Sequence, residues 1–354
     1  MYEKFYKLAG SPFKLTPDHR FFYGSASHKK AMSYLQFGTH QGEGFIVVTG
    51  KIGTGKSTLV GQLLAQLDAD KVVARQIVTT QIEAAGILKL ILGAFNIPSP
   101  ASDKASMLRS FETFLVQQHK LNKRVLLIVD EAQNLPPRTL EELRMLSNFV
   151  LDGQSLFQSF LVGQPQFNVL LADPQLEQLR QRVIASYHLE PMSAFETQAY
   201  IEHRLHRVGW VGKPRFTADA YERIYAETEG VPRRINNLCN RLLLFGAIEE
   251  LATIDDKVVD EVIEDHRRET ADGVAIGQEA ASGIGGKGHA NGSDGRANGS
   301  ADVSPRLGAI ERHLELHERA LQALLRSAVA ILTALDAGSD KAEAADKDQT
   351  DVDH

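Results

Sequence analysis

Up to about residue 190, short apolar runs alternate with longer segments in which apolar residues recur every three or four positions. The short runs are rich in β-branched residues and indicate buried strands, whereas the longer segments have the periodicity of helices. Strands are predicted at 44–49, 72–79, 124–129 and 157–162. Helices are predicted at 27–38, 57–68, 84–95, 104–119 and 137–149. Because strands and helices alternate, we expect an α/β fold whose parallel sheet is covered on both faces.

The pattern changes after Pro191, where helical spacing continues without a convincing strand. Helices are predicted at 193–208, 217–229, 231–249 and 255–268. Ser193 stands three residues before Glu196, which is the spacing of a capping box at a helix start. We therefore expect a core domain at 1–190, which begins with an aromatic segment, and a small all-helical lid domain at 191–268.

The C-terminal part has another composition. Residues 271–305 hold nine glycines and no aromatic residue, so a flexible linker is predicted at 269–305. Apolar residues then alternate by threes and fours over four heptads, which predicts an amphipathic helix at 306–336. A self-associating or partner-binding coiled coil is the favoured interpretation, and docking on the body of the protein is the alternative. An acidic, disordered tail is expected at 337–354.

Charge and composition narrow the class of protein. The 354 residues carry 39 basic and 45 acidic side chains, and this net charge of −6 argues against nucleic acid as a partner. A single cysteine, Cys239, excludes a disulfide within the chain and fits a reducing compartment. The sequence contains neither the apolar stretch of a signal peptide nor a run long enough to span a membrane. We expect a cytoplasmic protein that reaches the inner face of the membrane only through a partner.

One segment between a predicted strand and a predicted helix matches the phosphate-binding pattern G-x-x-x-x-G-K-[ST]. Its glycines allow backbone N–H groups to turn towards a phosphate, and the start of the helix adds partial positive charge. Lys56 is expected to reach the β- and γ-phosphates of ATP, and Ser57 is expected to bind Mg²⁺. The predicted nucleotide-binding residues of this loop are Gly50, Gly53, Thr54, Gly55, Lys56, Ser57 and Thr58.

Two adjacent carboxylates follow the apolar strand predicted at 124–129. Asp130 and Glu131 should lie at the carboxyl edge of the sheet, where open α/β folds bind their ligands. We expect Asp130 to bind Mg²⁺ through water, and Glu131 to orient the water that attacks the γ-phosphate. A kinase would need a second substrate pocket and a base for its hydroxyl group, and the sequence indicates neither. Hydrolysis is therefore the expected reaction.

Four more polar residues are candidates, each with a simpler alternative. Gln164 follows the predicted strand 157–162 and could position water or sense the γ-phosphate; capping of the loop is the alternative. Arg180 or Arg182 could act as an arginine finger across a subunit boundary, or lie on a solvated helix face. Arg233 could reach the γ-phosphate from the lid, or form a surface ion pair.

Together these residues resemble the AAA+ superfamily. Further segments are similar to the ExeA/GspA-type secretion ATPases, namely 2–8, 11–18, 21–23, 41–45, 130–135, 161–165 and 179–182. Within that group, the sequence most resembles the ATPase associated with exosortase (XrtA, PEP-CTERM) and exopolysaccharide loci. The resemblance covers about residues 1–268, so it says nothing about the predicted linker and the heptad helix.

The resemblance implies Mg²⁺-dependent ATP hydrolysis, a helical lid and assembly into a homo-oligomer, with an ATP-dependent ring as one form. It implies that Gln164 has the sensor-1 role in the core and that Arg233 has the sensor-2 role in the lid. It also implies that Arg182 is a better candidate for the arginine finger than Arg180. The aromatic N-terminal segment is expected to help wrap the adenine. ExeA/GspA proteins often continue into a membrane span and a periplasmic peptidoglycan-binding region. Neither is evident in this sequence, so a membrane-protein partner is expected and a direct cell-wall role is in doubt.

Three functions remain to be compared. The favoured one is an ATPase that energises or regulates secretion or assembly of envelope material, either exopolysaccharide or exosortase-linked surface proteins. A DNA-dependent ATPase of the transposition-helper or initiator type shares the same core, but no DNA-binding motif is found and the net charge argues against it. A nucleotide-gated scaffold with little turnover is the third, and the intact Glu131 argues against it.

Overall fold

The computed structural model describes residues 2–16, 18–79, 84–98 and 103–282. Up to the third strand, the elements are α1 (Tyr2–Tyr6), α2 (Ala26–Gln41), β1 (Phe45–Gly50), α3 (Lys56–Gln66), β2 (Val72–Val78), α4 (Ala84–Ala94), α5 (Lys104–Lys120) and β3 (Arg124–Asp130). The core continues with α6 (Pro137–Leu146), β4 (Val150–Leu151), β5 (Gln154–Ser155), β6 (Phe157–Gly163), α7 (Gln166–Leu171), α8 (Glu177–Arg180) and β7 (Val183–Leu189). The last elements are α9 (Ala194–His206), β8 (Arg215–Phe216), α10 (Ala218–Thr228), α11 (Pro232–Ile248), β9 (Thr253–Ile254) and α12 (Asp256–Ser282).

Five of these strands form a parallel sheet in the order β2-β3-β6-β1-β7. Successive side chains of a strand point to opposite faces, so the sheet supports two apolar cores. One core contains Val47, Leu127 and Leu161 and is covered by α4 to α8. The other contains Ile46 and Ile128 and is covered by α2 and α3. The predicted α/β fold, with a parallel sheet covered on both faces, is confirmed.

The edge strand β7 was not predicted. Along Val183–Leu189, side chains alternate between half-buried and exposed positions until the last residue, which is buried. The central strands β3 and β6 are buried almost throughout because helices cover both of their faces. A search for continuous apolar runs therefore finds the central strands and misses this one.

A separate apolar cluster begins at Met192 and joins α9, α10, α11 and α12 into the lid. The capping box predicted at its start is confirmed, because Ser193 and Glu196 each bond the other's backbone N–H. One detail corrects the prediction of an all-helical lid. β8 and β9 form a parallel pair of two residues each, too short to leave a periodic signal in the sequence.

The N-terminal segment packs with the lid and not with the sheet, although the core domain was predicted at 1–190. Tyr2, Tyr6 and Phe13 are buried in the lid cluster. The hydroxyl group of Tyr2 donates to Asn240 Oδ1 over 2.8 Å, and the backbone N–H of Ala9 donates to the Val208 carbonyl over 2.8 Å. The chain thus starts in the lid and enters the core only at α2.

The helix α12 runs to Ser282, which corrects the predicted start of the linker at 269. Residues 269–282 hold only two of the nine glycines counted in 271–305, and alanine, glutamate and glutamine favour a helix there. The rest of the predicted linker, the heptad helix at 306–336 and the tail at 337–354 lie outside the described residues. None of the helices described is long and apolar enough to cross a membrane.

Candidate nucleotide-binding site

The loop between β1 and α3 has the backbone conformation that its glycines were expected to allow. Gly53 and Gly55 have φ angles of +82° and +95°, which residues with a side chain rarely adopt. A Cβ atom at Gly53 would lie 2.6 Å from Arg233 Cβ, so a side chain there would collide with the lid. Lys56 Nζ donates to the carbonyls of Gly50 at 2.8 Å and Lys51 at 3.1 Å. The loop therefore closes around its own lysine, which is the geometry of a phosphate cradle.

The residues predicted to bind Mg²⁺ are in contact. Ser57 Oγ donates to Asp130 Oδ2 over 3.0 Å, and Gln76 Nε2 donates to the same oxygen over 3.2 Å. A hydroxyl and a carboxylate oxygen side by side are the hard ligands that Mg²⁺ takes from proteins, with the remaining positions filled by water and phosphate. The donor set therefore fits this ion.

Glu131 sits immediately beyond β3 with a φ angle of +56°, in the left-handed region. Such a conformation is uncommon for a residue with a side chain. Its carboxylate accepts from Gln133 Nε2 at 2.6 Å and from Gln164 Nε2 at 3.1 Å. Burial raises the pKa of Glu131, but these two bonds and the charge of Lys56 outweigh it, so the pKa falls below its ordinary value. The carboxylate is thus held in the ionised form that a base requires.

Lys56 is buried between the loop and these acids, with 6% of its surface exposed. Burial lowers the pKa of its ammonium group, while the charges of Glu131 and Asp130 act in the opposite direction. A polyphosphate would add negative charge next to this lysine, so ligand binding would favour its charged form.

A cavity of about 370 Å³ opens in front of the loop, between the core and the lid. Lys56, Ser57, Thr58 and Glu131 line one end. The aromatic segment from Phe21 to Tyr23 lines another part, and the lid contributes Met192, Tyr200, Arg204, Pro232, Arg233 and Asn236. The cavity thus joins phosphate-binding groups to aromatic side chains, as a nucleotide requires.

Residues 39–171 match the family model of the AAA domain. Over 249 residues, the chain is 37% identical to the general secretion pathway protein A of Aeromonas hydrophila; the match covers 69% of this chain and 44% of that protein. This chain is an AAA+ ATPase of the ExeA/GspA type. It spans less than half the length of that relative.

Other proteins are also similar to this chain. An uncharacterised HTH-type transcriptional regulator of Methanocaldococcus jannaschii is 23% identical over 301 residues, which cover 73% of this chain and 72% of that protein. The Aeropyrum pernix ORC2 protein, in its ADPNP-ADP complexes, aligns with a TM-score of 0.53 at 14% identity, covering 71% of this chain and 72% of that one. The ORC1 protein of the same organism, in complex with DNA, aligns with a TM-score of 0.53 at 15% identity, covering 73% and 70%. At such identities, the likeness to the solved structures concerns the fold alone.

In this AAA+ chain, Arg233 lies where the lid meets the phosphate loop. Its backbone N–H donates to the Gly53 carbonyl over 3.1 Å, and its side chain lines the cavity. No ion pair of its side chain occurs within the described residues, so the alternative of a surface salt bridge has no support. The sensor-2 role stays a prediction that this position favours.

Arg180 and Arg182 lie away from the phosphate loop of their own chain. The carbonyl of Arg182 bonds the N–H of Phe45, the first residue of β1, whereas the loop follows the last residue of that strand. Arg182 Nη1 donates to Ser147 Oγ over 2.7 Å, and Arg180 pairs with Glu177. Either arginine could therefore act only at the site of a neighbouring subunit.

Besides Gln76, three residues that sequence reasoning missed contact the site. Gln133 bonds both Glu131 and Gln164, since its Oε1 accepts from the Gln164 N–H at 2.9 Å. Thr79 Oγ1, at the end of β2, lies 2.8 Å and 2.9 Å from the carbonyls of Asp130 and Glu131. His28 is buried against the loop, and a Cβ atom at Gly55 would lie 2.8 Å from its Nε2. Their only sequence signal is proximity to the acidic pair for Gln133 and to a strand end for Thr79.

Proposed function

We propose that this chain binds Mg²⁺-ATP in the cavity between the sheet edge and the lid and hydrolyses it to ADP and phosphate. The observation that carries the proposal is the contact between Ser57 and Asp130 at 3.0 Å, next to a buried lysine and a second carboxylate. A hydroxyl, an ammonium and two acids at one sheet edge match the requirements of phosphoryl transfer to water.

Each residue of the site has a role that follows from its charge and its position. The glycine loop and Lys56 bind the β- and γ-phosphates, and Ser57 and Asp130 hold the metal. Bound Mg²⁺ would neutralise charge on the phosphate oxygens. Glu131 accepts a proton from the attacking water, and Gln164, bonded to the same carboxylate, fixes where that water lies.

Phosphate release measured with and without Mg²⁺ tests the hydrolysis. Lys56→Ala should abolish both nucleotide binding and turnover. Glu131→Gln should retain binding and lose turnover by about 100-fold or more. Lys120→Ala and Glu112→Gln, two exposed positions on α5, serve as matched controls. If folded Lys56→Ala protein hydrolysed ATP at the parent rate, the proposal would be wrong.

We further propose that hydrolysis energises or regulates secretion or assembly of envelope material, through exopolysaccharide or exosortase-linked surface proteins. The likeness to a protein named for general secretion supports the broader part of this proposal. The chain would act on the cytoplasmic side, through a membrane-protein partner. Replacing the native copy with Glu131→Gln should reduce export of one of these materials, and unchanged export of both would contradict the pathway.

A DNA-dependent ATPase of the transposition-helper or initiator type is the second candidate. The relative named as an HTH-type regulator is the observation that favours it. Duplex DNA, added across a range of salt concentrations, should leave the hydrolysis rate unchanged if the secretion proposal is right. Strong stimulation that salt abolishes would replace the first candidate with the second.

We also propose a homo-oligomer in which Arg182, or secondarily Arg180, completes the site of the adjacent subunit. The predicted core and lid would form its body, and the predicted heptad helix at 306–336 would add contacts or bind a partner. Sizing with and without ATP, for the full chain and for a chain ending at Ser282, separates these contributions. A monomer under every condition would exclude the finger role.

A further inference from the structure

In the part of the chain that the structure describes, one arginine of the lid is buried and has no carboxylate beside it. Arg204 lies in α9 with 5% of its surface exposed, and it lines the nucleotide cavity. Within the described part of the chain, its guanidinium forms no ion pair with a carboxylate. Buried charges are normally paired, because removing an ion from water is costly. An unpaired one beside a ligand cavity therefore points to the ligand.

The contacts that hold Arg204 leave part of its hydrogen-bonding capacity unused. Its Nη1 donates to the Tyr200 hydroxyl over 2.7 Å, and that hydroxyl donates to Asn236 Oδ1 over 2.9 Å. The guanidinium also lies over the rings of Phe21 and Tyr200, 5.0 Å and 5.5 Å from their centroids. Its Nε is buried and has no hydrogen-bond partner among the described residues. A guanidinium has five N–H groups, so acceptors are missing on this side of the cavity.

The position of Arg204 within the cavity indicates which part of a nucleotide supplies the missing hydrogen-bond acceptors. Arg233 contacts the phosphate loop, while Asn236 lies one helical turn further along α11. Arg204 rests on Phe21, in the aromatic segment that was expected to wrap the adenine. The guanidinium thus lies at the aromatic part of the cavity, and it has no direct contact with the phosphate loop among the described residues.

We propose that Arg204 binds the nucleoside half of the nucleotide by donating a hydrogen bond to a ring nitrogen of the base or to a ribose hydroxyl group. Tyr200 and Asn236 position its guanidinium, and Phe21 covers it from the N-terminal segment. The proposal rests on the proposed nucleotide function and extends it. Binding of a nucleoside would then draw together the lid helix α9 and the segment that precedes α2.

The test compares nucleotide affinities of the full chain and its variants under conditions without turnover. Arg204→Met retains the apolar length of the side chain and removes its donors. Arg207→Met, at the exposed end of the same helix, is the matched control. The ligands are ATP, inorganic tripolyphosphate, the 1-, 3- and 7-deaza analogues of ATP, and its 2′- and 3′-deoxy analogues, each with Mg²⁺.

Arg204→Met should raise the Kd for ATP about 10- to 100-fold and leave the Kd for tripolyphosphate unchanged. At least one analogue should bind the parent protein more weakly than ATP does. The same analogue should bind Arg204→Met as tightly as ATP does, because the variant lacks the donor of the hydrogen bond whose acceptor the analogue lacks. The melting temperature of the ligand-free variant should not fall, since an unpaired buried cation is removed. Arg207→Met should behave as the parent does.

Two results would overturn the inference. One is that Arg204→Met loses equal affinity for ATP and for tripolyphosphate. The other is that each analogue binds more weakly than ATP by the same factor in the parent and in Arg204→Met. Should that variant fail to fold, Tyr200→Phe removes only the hydroxyl that positions the guanidinium and should weaken ATP binding in the same selective way. A parent that binds no ATP at all would instead contradict the proposed nucleotide function.

Discussion

Gln133 links Glu131 and Gln164 through its side-chain amide group. Its amide nitrogen donates to the Glu131 carboxylate at 2.6 Å, and its amide oxygen accepts the N–H of Gln164 at 2.9 Å. The two catalytic candidates come from neighbouring strands of the sheet, β3 and β6. A side chain that bonds both therefore fixes the distance between the proposed base and the residue proposed to position the water.

Replacing Gln133 with alanine should lower kcat about 10- to 100-fold with little change in nucleotide affinity. The bond from Gln133 stabilises the ionised form of Glu131, so its removal raises the pKa of that carboxylate. The acidic limb of the pH–rate profile should then move to higher pH. Gln166→Ala, an exposed glutamine at the start of α7, is the control. A lower kcat with an unshifted acidic limb would contradict this account of Gln133.

His28 should make stability depend on pH. Burial lowers the pKa of its imidazole to about 4, despite the opposing effects of the Thr54 carbonyl and Glu196. The unfolded chain binds this proton at the ordinary pKa of 6.5, so the stabilisation is present above pH 6.5 and is lost as the pH falls towards 4. At pH 5 the loss from this residue should be about 2 kcal/mol of unfolding free energy.

Urea denaturation at pH 7 and pH 5 measures this effect as a difference between the parent and His28→Gln. The parent should lose more stability than the variant over that interval, because glutamine does not titrate. His40→Gln, at an exposed position of α2, should follow the parent. If His28→Gln loses stability in parallel with the parent, the buried imidazole is not the sensitive group.

Single residues were predictable where their chemistry is contiguous in the sequence. Lys56 and Ser57 belong to one short motif, and Asp130 follows an unbroken apolar strand, so spacing alone indicates the phosphate loop and the acids. Gln133 and His28 act through contacts that only the fold creates. No spacing rule brings a histidine from α2 against the loop that precedes α3.

Among the elements, burial of both faces made the central strands predictable. Strands β1, β3 and β6 are buried on both faces and read as mainly apolar runs. The edge strand β7 and the two-residue strands β8 and β9 lack that signal. The N-terminal segment packs with helices more than 180 residues away in the sequence, as in the bond from Tyr2 to Asn240. Local patterns cannot indicate such partners.

The packing of the N-terminal segment can be measured with two phenylalanines. Phe13 is buried in the lid cluster, with 2% of its surface exposed, whereas Phe37 of α2 is 51% exposed. Phe13→Ala should cost about 3–5 kcal/mol of unfolding free energy. Phe37→Ala should change it by about 0.5 kcal/mol or less. Equal effects in chemical denaturation would show that the first residues are not part of the lid core.

At the scale of the whole molecule, the carboxyl and amino ends of the parallel strands carry different candidate residues. The phosphate loop, Asp130 and Gln164 lie at the carboxyl ends of their strands, whereas Arg180 and Arg182 precede β7 at the amino ends. A strand of six residues separates the two ends by roughly 17 Å. One chain therefore presents the candidate site at one end and the arginine pair at the other, and the proposed oligomer would bring the two together in a head-to-tail contact.

Mixing two inactive variants tests that arrangement. Arg182→Ala keeps an intact site but lacks the finger, and Glu131→Gln keeps the finger but lacks the base. In a mixed oligomer, some contacts place the arginine of a Glu131→Gln subunit against the intact site of an Arg182→Ala subunit. Random equal mixing should then restore about one quarter of the parent rate, because one contact in four has this combination. A rate no higher than the mean of the separate variants would mean that Arg182 does not act across a subunit boundary. The same mixture made with Arg180→Ala would then test whether Arg180 acts there instead.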